Sequence, residues 1–419
     1  MHPNALLELA TDLLHKVLRF DAPADGVVSD FFRHHRALGS RERHTLAETT
    51  YEVLRHLPLY RHLAQSGKGE MERRLAVLAW QGNEGFLRAA LNAQEQQWLE
   101  KIKSVDRGSL SEELRHNLPA WLAEPLCSEL GDEFWPLVDS LNKSAALDLR
   151  VNTFKAKRDG VQAALAQAGI EATPTPYSPW GLRIAGKPAL NKLDVFMQGD
   201  VEVQDEGSQL LALLTDAKRG EMVADFCAGA GGKMLALGAS MRNTGRLYAF
   251  DTSGHRLAAL KPRLARSGLS NVYPVQIAHE RDDRIKRLAG KIDRVLVDAP
   301  CSGLGTLRRN PDMKWRQSPT SIDELKVKQA AILASAARLV KPGGRLVYAT
   351  CSLLREEDEA IAAAFSEAQA REFKPVPAEE ALAKAHVEAS GTLVRHGFLR
   401  LWPHRHATDG FFAAVWERR

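Results

Sequence analysis

Met222-Val223-Ala224-Asp225-Phe226-Cys227-Ala228-Gly229-Ala230-Gly231-Gly232-Lys233 decides the fold of this chain. A short apolar run stops at a turn of small residues, and a helical stretch follows. Small residues let the backbone turn tightly and approach a ligand closely. The helix behind them offers free N–H groups and the positive end of its dipole. Downstream, residues 246–250 form a second apolar run ending at Asp251. Residues 293–297 form a third ending at Asp298, and 344–348 a fourth ending at Thr350-Cys351. Helical stretches separate the runs. The alternation predicts an α/β domain built on a parallel sheet, with its ligand site beyond the carboxyl ends of the strands.

The turn and Asp251 together describe a site for an adenosine-type cofactor. Asp251, at the tip of the second strand, can accept both hydroxyls of a ribose. The spacing does not fit G-x-G-x-x-G, which argues against a dinucleotide, and no Ser or Thr follows Lys233 as a Walker loop requires.

Upstream, residues 1–105 read as helical. Leu6, Leu9, Leu13, Leu14, Val17 and Leu18 recur at three- and four-residue spacing, and Leu46, Thr50, Val53, Leu54 and Leu57 repeat it. Ser40 is expected to cap the second of these helices and Pro58 to stop it. Residues 106–200 read as linker helices followed by a small α/β unit. Strands are expected at 147–152, 181–184 and 201–203, a helix at 161–168 and a loop at 173–179. The catalytic domain is expected to span 201–419.

The chain has 419 residues, 44% apolar and 26% charged, which suits a soluble protein with a large core. Lys+Arg 57 against Asp+Glu 52 leaves +5, which permits nucleic acid without demanding it. No apolar stretch is long enough for a signal core or a membrane span. Cys127, Cys227, Cys301 and Cys351 are too scattered for a disulfide framework or a zinc knuckle. The expectation is a cytoplasmic protein with no metal, in which Cys127 serves packing.

Two of the cysteines sit elsewhere in the pattern. Asp298-Ala299-Pro300-Cys301-Ser302-Gly303 places a thiol on a loop at the ligand edge, just after an acid and a proline that ends ladder pairing. Tyr348-Ala349-Thr350-Cys351-Ser352 repeats that placement at the next strand end, so adjacent strands would bring the thiols near each other. Between them runs Leu307-Arg308-Arg309-Asn310-Pro311-Asp312-Met313-Lys314-Trp315-Arg316. Its cations Arg308, Arg309, Lys314 and Arg316 would meet phosphates and Trp315 would stack on a base. Arg150, with Lys143, Lys155, Lys157 and Arg158, forms a second basic cluster.

These residues resemble the RsmB/Fmu (Sun/Nop) family of S-adenosylmethionine-dependent RNA cytosine-5 methyltransferases. The likeness rests on the Cys227–Lys233 turn, Asp298-Ala299-Pro300-Cys301-Ser302-Gly303, Asn310-Pro311-Asp312 and Thr350-Cys351-Ser352. It extends to Leu149-Arg150-Val151-Asn152-Thr153, Val203-Gln204-Asp205-Glu206, Arg400-Leu401-Trp402-Pro403-His404 and Thr408-Asp409-Gly410-Phe411-Phe412. It covers roughly residues 117–419 in the family's order. The first hundred residues resemble a shortened form of the helical NusB-like domain that some members carry. The implied architecture is a Rossmann-like class I methyltransferase domain preceded by a small RRM-like α/β subdomain and an all-helical domain.

The resemblance implies S-adenosylmethionine held by Cys227, Ala228, Gly229, Ala230, Gly231, Gly232, Lys233, Asp251 and Asp298. It implies Cys351 as the nucleophile that adds to C6 of cytosine, Asp298 at the base edge and Cys301 assisting release. Where the family's turn reads Cys-Ala-Ala-Pro-Gly-Gly-Lys, this chain has Gly229 and Ala230. Where the family has an Asp on the adenine, His279 falls nearest, with Glu280 next. The expected substrate is RNA, most readily ribosomal, with transfer RNA as the alternative. The expected chain is a monomer with no DNA or membrane partner. A DNA enzyme would attack with the Pro-Cys thiol and leave Thr350-Cys351 unexplained. A dinucleotide oxidoreductase would not need either thiol, and a non-catalytic RNA-binding assembly factor would not need both with Asp298.

Overall fold

The amphipathic spacing at the start of the chain closes into helices. The computed structural model describes residues 1–419. In it α1 (Pro3–Val17) buries Leu6, Leu7, Ala10, Leu13, Leu14 and Val17 on one face. α2 (Ala24–His34), α3 (Ser40–Arg55), α4 (Leu57–Ala64), α5 (Met71–Leu78), α6 (Glu84–Ala90) and α7 (Ala93–Lys103) supply the rest of that core. Ser40 is the first residue of α3, not its cap. Pro58 lies in the first turn of α4, where its missing N–H leaves no bond unmade. The proline expected to end one helix therefore helps to start the next.

α8 (Glu112–His116), α9 (Ala120–Leu130) and α10 (Phe134–Leu141) extend the helical unit to Ser144, past the expected boundary at 105. Cys127 is exposed on α9, so its reading as a packing residue is corrected. The segment Thr306–Pro319 also belongs to this unit, although the chain on either side of it belongs to the other.

The second unit, Ala145–Gly305 with Thr320–Arg419, holds two sheets. The first joins β1 (Leu147–Val151), β2 (Ala172–Pro174), β3 (Gly181–Ile184) and β4 (Val201–Val203) in the antiparallel order β2-β3-β1-β4. α11 (Arg158–Gln167) buries Val161 and Leu165 in the core shared with Leu149, Val151, Leu182 and Val201. α12 (Asp194–Met197) precedes β4. The stretch expected as a loop at 173–179 thus contains part of a strand. A boundary at 200 would also cut β4 from its partner, since Val201 pairs with Val151 and Val203 with Leu149.

The second sheet runs β5 (Met222–Asp225), β6 (Arg246–Asp251), β7 (Val272–Gln276), β8 (Ile292–Asp298), β9 (Val340–Thr350), β10 (Phe373–Val376), β11 (Val394–Arg395), β12 (Phe398–Leu401) and β13 (Phe411–Arg418) along the chain. Its spatial order is β11-β12-β13-β9-β8-β5-β6-β7, with β10 paired to β13. β9, β8, β5, β6 and β7 are parallel, and β13 is antiparallel beside β9. α13 (Glu206–Thr215), α14 (Gly232–Ser240), α15 (Gly254–Ser267) and α16 (Asp283–Lys286) follow in the chain. α18 (Pro319–Ala337) comes next, after α17 (Met313–Arg316) of the other unit. The order turns back between β5 and β8, which is where such sheets open a ligand crevice. No helix is long and apolar enough to cross a membrane.

Candidate active site

The four strand tips expected at the ligand edge are neighbours. In the order β9, β8, β5, β6 they bring Cys351, Asp298, Asp225 and Asp251 along one edge. Asp251 is buried and orders the turn. Its Oδ2 accepts the Gly229 N–H at 2.8 Å and its Oδ1 accepts the Ser253 N–H at 2.7 Å. Each oxygen keeps a lone pair for a ligand hydroxyl. Gly231 precedes α14 as its cap with φ +86°, and a Cβ there would lie 2.3 Å from Leu260 Cδ1, so a side chain would be both strained and crowded. Gly229, φ +55°, faces open space by contrast.

Lys233, at the start of α14, reaches Asp298 with Nζ–Oδ2 2.6 Å. Burial lowers the ammonium's pKa, but the Asp298 charge and hydrogen bond outweigh it and the net shift is upward, so Lys233 stays charged. Its Nζ lies 5.8 Å from the centre of the Phe411 ring. Cys301 Sγ and Cys351 Sγ stand 3.3 Å apart and unbridged. The hydrogen bond to Cys351, then burial, pushes the Cys301 thiol well up, so Cys301 holds its proton. Cys227 is a different thiol. Burial first, then Asp225, Asp298 and Asp251, raise its pKa, and it packs against the sheet.

Three residues at this edge escaped the sequence reading. Asp225 is buried, its Oδ1 has no partner, and burial with the Asp298 charge pushes its pKa up to about 7. Only its place at the end of the first strand could have marked it. Glu357 is fully buried and binds both thiol loops. It accepts from the Ser302 N–H at 2.8 Å, from Gln329 Nε2 on α18 at 2.9 Å, and from the Ser302 and Ser352 hydroxyls. Asp358, also buried, accepts from the Thr350 hydroxyl and pairs with Arg400. Nothing in Glu356-Glu357-Asp358-Glu359 tells these two acids from exposed Glu356 or half-buried Glu359.

The Lys233 ammonium pairs with Asp298 and feels Asp225, while Asp251 holds the turn beside them. An orphaned buried acceptor and the open space at Gly229 complete the cradle. S-adenosylmethionine carries hydroxyls, an ammonium and a sulfonium, and these residues fit it. His279 is exposed on the loop after β7, with its Nδ1 accepting the Arg281 N–H. Asp282 on the same loop caps the Ala278 and Arg284 N–H groups. Glu280 is half-buried beside Arg281.

The expected RNA contacts divide. Lys314 is buried and donates to the Arg55 carbonyl at 2.8 Å, and the Trp315 indole donates to the Leu54 carbonyl at 2.8 Å. Both cap the carboxyl end of α3, whose last carbonyls lack partners within the helix. Asp312 accepts the Ala24 N–H at 3.1 Å and so caps α2, where Pro23 has no side-chain cap to give. Arg308 is buried and its carbonyl accepts from Arg55 at 3.3 Å. Reading Lys314 as a cation that meets phosphates is therefore corrected: its ammonium is spent on the helical unit, as is the Trp315 indole N–H, and the Arg308 side chain is buried. Arg309 and Arg316 are half-buried, and Arg316 lies 3.6 Å from Asp312. Arg150 is corrected too. It is fully buried on β1 and donates to Gln204 Oε1 at 2.6 Å, with its pKa pushed down to about 10 by burial.

Comparison with known proteins agrees with this architecture. Residues 212–417 match the family model described as 16S rRNA methyltransferase RsmB/F, and residues 118–191 match its ferredoxin-like domain. A relative named probable ribosomal RNA small subunit methyltransferase B, from Synechocystis, is 36% identical over 332 residues, covering 79% of this chain and 72% of that one. The similarly named Bacillus subtilis protein is 35% identical over 272 residues, 65% of this chain and 59% of its own. The crystal structure of PH0851 covers 100% of this chain and 99% of its own, with TM-score 0.81 and 27% identity. The expected family and fold class are thereby borne out, with the small α/β subdomain of the ferredoxin-like kind: the chain belongs to the RsmB/F family of 16S ribosomal RNA methyltransferases.

Proposed function

We propose that this chain transfers a methyl group from S-adenosylmethionine to C5 of a cytosine in small-subunit ribosomal RNA. The observation that carries the reading is the pair of thiols 3.3 Å apart at neighbouring strand ends, with the Lys233–Asp298 ion pair at the end of β8 just before Cys301. C5 of cytosine is a poor nucleophile until a thiolate adds at C6. Cys351 makes that bond, and the ring's electrons move to C5, which takes the methyl group. Asp298 holds or protonates the base edge at N3, and the proton there keeps negative charge from building on the ring. A base then takes the C5 proton, the C5–H electrons restore the C5–C6 double bond, the C6–sulfur bond breaks and Cys351 departs as thiolate. Cys301 assists this release. Once Cys351 is bound to C6, neither its hydrogen bond nor its charge holds the proton on Cys301, so Cys301 can give that proton to solvent and its thiolate can take the C5 proton.

Bound S-adenosylmethionine supplies the methyl cation equivalent, and residues 227–233, Asp225 and Asp251 would hold it. The target base is unpaired or flipped out to reach the thiols. The chain works as a monomer in the cytoplasm, without metal and without DNA as substrate. The test is bisulfite sequencing of small-subunit ribosomal RNA after incubation with the purified chain and S-adenosylmethionine. One protected cytosine is the expected result. Protection in transfer RNA alone would move the substrate, and methylation at another atom would overturn the reading.

A further inference from the structure

We propose that Arg263 is the positioning residue of the cofactor turn, and that Glu202 of the ferredoxin-like sheet holds it there. The inference rests on reading residues 227–233 as the S-adenosylmethionine site. Ala230 lies between Gly229 and Gly231, both with left-handed φ, so the turn has little stiffness of its own. The guanidinium of Arg263, on α15, donates from Nη1 to the Ala230 carbonyl at 2.7 Å. The same group turns its other edge to Glu202, with Nε 3.1 Å and Nη2 3.0 Å from Oε2. Glu202 is buried on β4, and its Oε1 takes a second cation, Arg266, one turn along α15.

Glu202 is itself fixed. It sits opposite Arg150 in the β1–β4 register, and Arg150 binds Gln204, whose amide also bonds the Ser208 hydroxyl. The Gln204 amide nitrogen and Arg263 Nη2 both lie 3.9 Å from where a Cβ on Gly232 would stand. The small sheet therefore reaches the cofactor turn through the Arg263 side chain, with Gln204 close by. A guanidinium suits this because its fork serves two acceptors in one plane, which a lysine ammonium does not do as rigidly. Holding the turn in its binding shape before the ligand arrives reduces the ordering cost of binding. The RNA-contacting role expected for Arg150 is thus replaced by a place behind the cofactor turn.

The test measures S-adenosylhomocysteine affinity by calorimetry on the full chain, with steady-state kinetics and hydrogen exchange beside it. Arg263→Ala is expected to weaken binding about tenfold, the loss of one charge-assisted bond. Glu202→Gln should weaken it about threefold, and the double variant should match Arg263→Ala because both act through one contact. Arg263→Lys should recover part of the loss. The KM for S-adenosylmethionine should rise while kcat and the KM for RNA hold, and amides 229–232 should exchange faster in the ligand-free variant. Wild-type affinity in Arg263→Ala, or a fall in kcat with cofactor affinity intact, would overturn the proposal. If Arg263→Ala does not fold, Glu202→Gln decides it by the same readings. A wild-type chain that binds no S-adenosylhomocysteine would instead sink the reading of the site itself.

Discussion

Lys233 is mostly buried and Lys314 fully so, and both follow a strand tip of the same sheet in sequence, yet they end in opposite electrostatic settings. Lys233 meets the Asp298 carboxylate, and its pKa rises despite burial. Lys314 meets a helix carbonyl, and burial with the nearby Arg55 pushes its pKa down to about 7. The first belongs to the site and the second to the scaffold. A lysine in a loop advertises a charge, but only the partner it finds says whether that charge does chemistry, binds a phosphate or caps a helix.

The largest expected effect lies at the Lys233 end. Cys351→Ala should abolish methylation and give no covalent RNA adduct. Cys301→Ala should attack and transfer, then stall as a protein–RNA conjugate visible on a denaturing gel. A conjugate from Cys351→Ala but not from Cys301→Ala would exchange the two roles. Full activity in Cys351→Ala would end the mechanism.

The next effect concerns the turn. Asp251→Ala removes the acceptor of the Gly229 and Ser253 N–H groups together with the expected ribose contact. Cofactor affinity should fall by more than about tenfold, since each charge-assisted bond is worth roughly 1.5–3 kcal/mol. An unchanged dissociation constant would detach Asp251 from the cofactor.

Lys314 gives a pH test. Its pKa is 10.5 when unfolded and about 7 in the fold. The unfolded chain therefore binds more protons between those values, and stability rises with pH across that window. Below about pH 7 both states carry the proton and the penalty is complete. Lys314→Met should flatten the rise, by a few kcal/mol at most over the window, and leave the salt dependence of RNA binding as it was. Melting curves at pH 7 and pH 9 check the first part. A reduced salt slope would return Lys314 to the RNA.

The smallest effect is at Asp312. Asp312→Ala leaves the Ala24 N–H without its acceptor, and lost caps cost about 1 kcal/mol. A lowered melting temperature with unchanged cofactor affinity is expected.

Much of the sheet was legible, for a plain reason. Buried parallel strands read as short apolar runs, and Val223, Leu247, Val295 and Leu346 announced themselves. β7 did not. It is an edge strand, where Tyr273 stays exposed and Pro274 is tolerated, so its sequence looks like a loop. The two thiols and Asp298 were legible because each follows an apolar run at once. Glu357 and Asp225 were not, because a buried acid and a solvated one are spelled alike.

The sequence by itself determined the alternation of strands and helices, the glycine turn and the reactive residue at each strand tip. These are local matters, set by side-chain spacing and backbone freedom within a few residues. Only the tertiary structure decided that Arg150 and Lys314 lie inside, that Glu357 ties two loops together, and that Arg263 reaches Ala230. Those outcomes depend on which distant groups remain unsatisfied when the elements pack: the last carbonyls of α3, a buried carboxylate on β4, a free carbonyl in a flexible turn. A charged side chain is drawn to whichever of these it can reach, and reach is a property of the fold.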